Sequence, residues 1–113
     1  MINLYDYYSQ PQELHEYKNR MYLVPMFAFE EIKQGNKDPK LPETIKKDPE
    51  FAVLYAATII HGRWPEAEPF IMKDPHFARY YATDIIKDRW PEAEPYIQQD
   101  SQQWLLYKHW FKF

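Results

Sequence analysis

Residues 48–73 read DPEFAVLYAATIIHGRWPEAEPFIMK and residues 74–99 read DPHFARYYATDIIKDRWPEAEPYIQQ, identical at 16 of 26 positions without a gap. A fixed period between about 20 and 50 residues is the signature of stacked supersecondary units, each too small to bury its apolar face alone. The expected fold is therefore all-α: tandem helical-hairpin repeats over 48–73 and 74–99, forming a short α-solenoid within a single domain of residues 1–113. Asp100 and Ser101 open a third copy, residues 100–113, in which Tyr107 and Phe111 stand where the earlier copies have Tyr55, Tyr81, Ile59 and Ile85. That copy reads as a truncated, capping helix.

Each copy spells a hairpin in its local chemistry. Asp48 and Asp74 are good N-cap residues, because their side-chain oxygens can accept from backbone N–H groups one turn in, and Pro49 and Pro75 suit a first helical position that needs no N–H. Phe51, Tyr55 and Ile59 follow at i, i+4 and i+8, with Ala52, Ala56 and Ile60 in the adjacent row, a stripe about 100° wide. These positions and their equivalents are the expected core. The first helix should end near Gly62 or Asp88, because Trp64-Pro65 and Trp90-Pro91 disfavour helix at the residue before proline. A second, shorter helix should run from Pro65 or Pro91 to Lys73 or Gln99, its first turn made irregular by Pro69 or Pro95.

Upstream the pattern decays. Phe27-Ala28, Ile32 and Gly35 echo Tyr55-Ala56, Ile60 and Gly62, and Leu41-Pro42-Glu43 echoes Trp64-Pro65-Glu66, so residues 1–47 read as an N-terminal helical arm holding a degenerate first repeat. Ser9 to about Gln34 reads as one helix or two, with Ser9 as a cap and a break near Pro25, and residues 35–47 as a linker.

Composition narrows the function classes. Lys and Arg number 14 against 17 Asp and Glu, a formal net charge of −3 interspersed along the chain, so no long-range field draws in nucleic acid or an anionic membrane. There is no cysteine, hence no disulfide framework and no thiol chemistry. Met1 to Tyr8 has neither the basic start nor the apolar run of a signal peptide. The longest apolar stretch, Met21 to Phe29, contains Pro25 and falls far short of the roughly 20 residues that span a bilayer. A cytoplasmic protein with no membrane partner is expected. Two glycines cannot build a phosphate cradle, and the two serines, Ser9 and Ser101, both sit where caps belong. His15, His61, His76 and His109 are scattered, and His15-Glu16 lacks the second histidine of a helical zinc motif, so neither metal nor cofactor is expected.

The one constellation that invites a catalytic reading is Arg63, Glu66 and Glu68, repeated as Arg89, Glu92 and Glu94. Paired carboxylates do acid and base work only where their environments push their pKa values apart, and here the same pair occurs twice in identical context. The structural alternative is that Arg63 and Arg89 bridge to first-turn glutamates of their own or the adjacent unit, which also complement the helix dipole. Trp64 and Trp90, at the hairpin corners, read as wedges whose indole N–H meets a free carbonyl.

Function is then sought where the copies differ. Val53, Leu54, Ala57, Thr58 and His61 become Arg79, Tyr80, Thr83, Asp84 and Lys87. The apolar set is expected to pack under the N-terminal helix, leaving Arg79, Tyr80, Asp84 and Lys87 as a contact patch of residue types common at hot spots. A second candidate surface is the aromatic C-terminal helix, where Trp110 or Phe113 would anchor a partner or a second subunit in a homodimer.

The phrase Arg-Trp-Pro-Glu-Ala-Glu-Pro, followed by an aromatic, isoleucine and then Asp-Pro, resembles short helical repeats of small bacteriophage and large DNA virus proteins; the resemblance covers residues 48–99. It implies no reaction, cofactor or binding residue. It implies a setting, a small viral accessory protein in the host cytoplasm that binds and inhibits or redirects a host protein such as a defence nuclease. The expected function is thus a non-catalytic protein-binding module. Its rivals are nucleic-acid binding through Arg79, Lys87, Lys108 and Lys112, DNA mimicry, which a charge of −3 serves poorly, and a carboxylate-based enzyme using Glu66, Glu68, Glu92 or Glu94.

Overall fold

The structure, a computed structural model, describes residues 22–113. Ser9, His15 and the expected helix upstream of Tyr22 lie outside the described residues. The chain forms two compact units, Met1–Ile45 and Lys46–Phe113. Among the described residues there are seven α-helices, several shorter helical turns and no strand.

In the first unit, α1 spans Pro25–Lys33 and buries Phe27, Ala28 and Phe29. The break expected near Pro25 is a helix start. Proline forces the preceding residue out of the helical region, and Val24 is extended (φ −111°, ψ 114°) with Pro25 in the first turn. The helix closes on Gly35, whose φ of 100° lets Asn36 N–H reach back to Glu31 O at 3.1 Å, a six-residue closure that needs a left-handed residue before it.

The stretch read as a linker, 35–47, contains a helix: α2, Lys40–Lys46. The missed signal is Asp38-Pro39, the same start as at Asp48 and Asp74. Asp38 Oδ1 accepts the Lys40 N–H at 3.0 Å, and Leu41 and Ile45, four residues apart, are fully buried. Tyr22 ties this turn down: its hydroxyl donates to Asp38 Oδ2 at 2.7 Å, while its carbonyl accepts from Thr44 Oγ1 at 2.7 Å.

The second unit contains α3 (Pro49–Tyr55), α4 (Glu68–Ile71), α5 (Pro75–Tyr81), α6 (Glu94–Ile97) and α7 (Ser101–Phe111). The aspartate caps form as expected. Asp48 accepts from Phe51 N–H, Asp74 from His76 and Phe77, and Asp100 from Gln102 and Gln103. The cap of α7 is therefore Asp100, and Ser101 is already inside the helix. Proline sits in the first turn of α4 and α6, each preceded by one irregular turn, over Pro65–Ala67 and Pro91–Ala93.

The ends of the long helices depart from expectation. α3 and α5 run on into π-helical turns, Ala56–Ile60 and Ala82–Ile86. They finish on left-handed His61 (φ 60°) and Lys87 (φ 62°), not at Gly62 or Asp88. Bonding from i to i+5 slips the register by one residue, so side chains beyond Ala56 rotate off the stripe set by Ala52 and Tyr55. This is why Ile59 and Ile60, expected in the core, are exposed, and why Ile85 and Ile86 are only half-buried. Phe51 and Tyr55 are half-buried as well. Ala52, Ala56, Ala78, Tyr81 and Ala82 are buried as expected, and the core is completed by Val53, Trp64, Ala67, Ile71, Trp90, Ala93, Ile97 and Tyr107.

Candidate functional site

The arginine and glutamate of each corner do pair. Arg63 Nε and Nη2 donate to the two oxygens of Glu68, both at 2.8 Å, and Arg89 does the same to Glu94, both at 3.0 Å. A third side chain completes each site. The Tyr81 hydroxyl donates to Glu68 Oε2 at 2.7 Å and accepts the Trp64 backbone N–H at 2.7 Å. Twenty-six residues on, the Tyr107 hydroxyl donates to Glu94 Oε2 and accepts from Trp90 N–H, again at 2.7 Å each.

This network is what brings Arg, Trp, Pro and Glu to one spacing. Proline at 65 or 91 ends the corner, so the preceding tryptophan leaves its backbone N–H without a helical acceptor, and a buried donor in that state costs about 1–3 kcal/mol. The tyrosine hydroxyl is the acceptor. The tryptophan group held in place is thus its backbone N–H; its ring contributes by packing, 4.6 Å from Tyr55 at Trp64 and 4.9 Å from Tyr81 at Trp90.

Burial alone would raise the Glu68 pKa, but the hydrogen bonds from Arg63 and Tyr81 outweigh it and hold the carboxyl below its ordinary value. For Glu94 the Arg89 hydrogen bond dominates, against a smaller opposing effect of burial, with the same result. Both arginines are raised, first by those hydrogen bonds. Burial and then Glu94 push Tyr107 up from 10.0 to about 12, and burial raises Tyr81 further. A carboxylate kept ionised, with its lone pairs taken by arginine and tyrosine, is badly placed to carry a proton for a substrate near neutral pH. Glu66 and Glu92 sit apart from these networks, on the exposed side of the corner. Among the described residues, no group of three or more His, Asp or Glu side chains could hold a metal ion.

Of the expected contact patch, Tyr80, Asp84 and Lys87 are exposed. Arg79 is half-buried, with Nε donating to Gln103 Oε1 on α7, and its guanidinium also lies 5.4 Å from the Tyr80 ring centroid. Tyr80 is exposed and rests 5.6 Å from the His76 ring. Asp84 and Lys87 line an open cavity of about 340 Å³ with Ala57, His61, Gly62 and Ile85. Of the set expected to be covered, Val53 is buried, whereas Leu54, Ala57, Thr58 and His61 are exposed.

At the C-terminal end both aromatic candidates are exposed, Phe113 to 48%. Phe113 is pinned: the Arg89 guanidinium sits 3.6 Å from its ring centroid, and Trp104 and Tyr107 contact its edge at 5.8 and 5.9 Å. Trp110 stands out at 61% exposure. Sequence reasoning missed the tyrosine hydroxyls. The signal was present, since Tyr81 and Tyr107 each lie 17 residues after an Arg-Trp tryptophan.

No protein-family model matches the chain, and neither a curated protein nor a solved structure matches it. Among the described residues no helix is long and apolar enough to cross a membrane.

Proposed function

We propose that the chain is a non-catalytic protein-binding module, in which helical hairpins 48–73 and 74–99 stack as a short α-solenoid and α7 serves as the capping copy. One observation carries the reading. At positions 26 residues apart, Leu54, Tyr80 and Leu106 are exposed to 39%, 44% and 43%, an outward row with one partly solvent-facing side chain from each copy. Thr58, Asp84 and Trp110 flank the row one turn on, all exposed. Rows of this kind, one side chain per repeat, are how stacked helical hairpins meet protein ligands. Tyr80 in the row and Trp110 beside it are of residue types enriched among binding hot spots.

The carboxylates most open to a catalytic reading support the same conclusion from the other side, because Glu68 and Glu94 are committed to arginine and tyrosine. The resemblance of residues 48–99 to viral helical repeats makes an inhibitor or adaptor of a host cytoplasmic protein the setting in which to look. The test is affinity purification from lysate of the natural host cell, comparing the native sequence with Tyr80→Ala and Trp110→Ala. A protein enriched by the native chain and lost with both variants supports the module. Retention of nucleic acid, or equal retention by all three, overturns it.

A further inference from the structure

Gly62 is a glycine that neither the backbone nor the packing asks for. Its φ is not positive, since the left-handed residue at that helix end is His61, and a Cβ placed on it would meet nothing within 4 Å. The same place, directly after the left-handed residue, holds Asp88 in the second copy and Phe113 in the third, so the local backbone admits side chains as large as a phenyl ring. What Gly62 does is leave room. With Ala57 and His61 it forms the first copy's side of the open cavity of about 340 Å³, and Asp84, Ile85 and Lys87 of the second copy form the other. Small-molecule sites have volumes of roughly 300–1,000 Å³.

The charged groups of this cavity are unpaired. Asp84 and Lys87 lie three residues apart and line the same space, yet they make no ion pair with each other. Asp84 Oδ1 accepts from the Thr83 hydroxyl at 3.0 Å, while its Oδ2 and the Lys87 ammonium have no hydrogen-bond or ion-pair partner among the described residues. Both long helices also end here in π-helical turns, a form frequent at functional sites. The last carbonyls of any such end lack an intrahelical donor.

We propose that this cavity binds a small zwitterion of the amino-acid type. Its carboxylate meets the Lys87 ammonium and an N–H of His61, its ammonium meets Asp84 and the helix-end carbonyls, and a short apolar side chain lies against Ala57 and Ile85. The two charges of the ligand follow from the two unpaired charges of the wall. A simple anion on Lys87 would sit beside the Asp84 carboxylate and a simple cation on Asp84 beside the Lys87 ammonium, and like charges so placed repel. The ligand's ammonium is favoured further by the negative ends of two helix dipoles. The apolar side chain follows from the rest of the lining, the Ala57 methyl group and half-buried Ile85. This site goes beyond the protein-binding function proposed above and does not rest on it.

The probe is L-leucine, compared with N-acetyl-L-leucine, which lacks the ammonium, and L-leucinamide, which lacks the carboxylate. Titrated into the full chain and followed by amide-resolved NMR, L-leucine should shift the amides of residues 57–62 and 83–88 saturably. It should bind about tenfold more tightly than either derivative, since each derivative leaves one charge of the wall unmet. Lys87→Met and Asp84→Asn should each weaken L-leucine about tenfold. Both side chains are exposed, so circular dichroism should show an intact fold in these variants. Gly62→Leu should abolish the shifts with the fold equally intact, because the new side chain occupies the cavity from a position with no structural need of glycine. Tyr80→Ala should leave the titration unchanged, which separates failure of this site from failure of the outward row. No saturable shift up to about 50 mM L-leucine, equal affinity for the derivatives, or shifts that survive Gly62→Leu would overturn the proposal. A Gly62→Leu chain that does not fold would overturn it too, by showing that the glycine serves the fold and not the cavity.

Discussion

The hydroxyl oxygen of Tyr81 serves two neighbours at once, accepting from Trp64 N–H and donating to Glu68. Tyr81→Phe keeps the ring and its contact with Trp90 but leaves a buried amide without an acceptor. We expect a loss of about 1–3 kcal/mol in urea unfolding, with Tyr107→Phe behaving alike because its bonds are the same. The surface-facing half of each network contributes less: Arg63 and Arg89 are about half exposed (48% and 46%), where ion pairs are screened. The networks also fix a pH window. Glu68 and Glu94 are held below 4.5, so their contribution is complete above about that pH and is lost as pH falls through the lower native values. Tyr107 is raised from 10.0 to about 12, so its contribution is complete below pH 10 and fades between 10 and 12. Thermal melts across pH should decline at both edges, and Glu94→Gln should flatten the acid edge while Tyr107→Phe flattens the alkaline one. At this scale an arginine-to-glutamate bridge was legible, because the same four-residue interval between Arg63 and Glu68 recurs between Arg89 and Glu94. The tyrosines were not, because their hydroxyls act across 13 and 17 residues, between one hairpin and the next helix.

Helix starts and helix ends differ sharply in how openly the sequence declares them. Asp-Pro is a complete signal, a side-chain acceptor followed by a residue with no N–H to satisfy, and it marks α2, α3 and α5, while Asp100 caps α7 without the proline. Asp74→Ala should cost about 1 kcal/mol in chemical denaturation. The ends give no such sign. The π-helical turns over Ala56–Ile60 and Ala82–Ile86 arise where the chain must leave the helix before a Trp-Pro corner, and the five residues involved carry nothing that marks a wider turn. Gly62 drew the reading to itself, yet the left-handed residue is His61, with Gly62 N–H bonded back to Ala56 O at 3.1 Å. A side chain at such a φ costs roughly 1–2 kcal/mol, partly offset by the larger unfolded-state entropy of glycine. Lys87→Gly should therefore stabilise by a few tenths to about 1 kcal/mol, read as a rise in the denaturation midpoint; a fall would mean that the lysine stem packs over the cavity it borders.

At the scale of the second unit, one position recurs three times along the chain and changes once: Ala56 and Ala82 are fully buried, and Lys108 is partly covered. The repeat made the period and the helical class legible, but not where the repetition gives out, because that depends on which faces meet a neighbour. Alanine at 56 and 82 lets the adjacent backbone approach, and a methyl group is all the space between them admits. Ala82→Leu should thus overpack the unit and cost about 1–3 kcal/mol, whereas Lys108→Ala should fall within about 0.5 kcal/mol of the native chain, both by urea denaturation. The contrast follows from packing alone. If Lys108→Ala were as costly as Ala82→Leu, the Lys108 ammonium, 5.7 Å from the Trp104 ring centroid, would be holding α7 in place. If Ala82→Leu were harmless, the full burial of Ala82 would not reflect close packing around its methyl group, and the alanines of the repeat would lose their packing role.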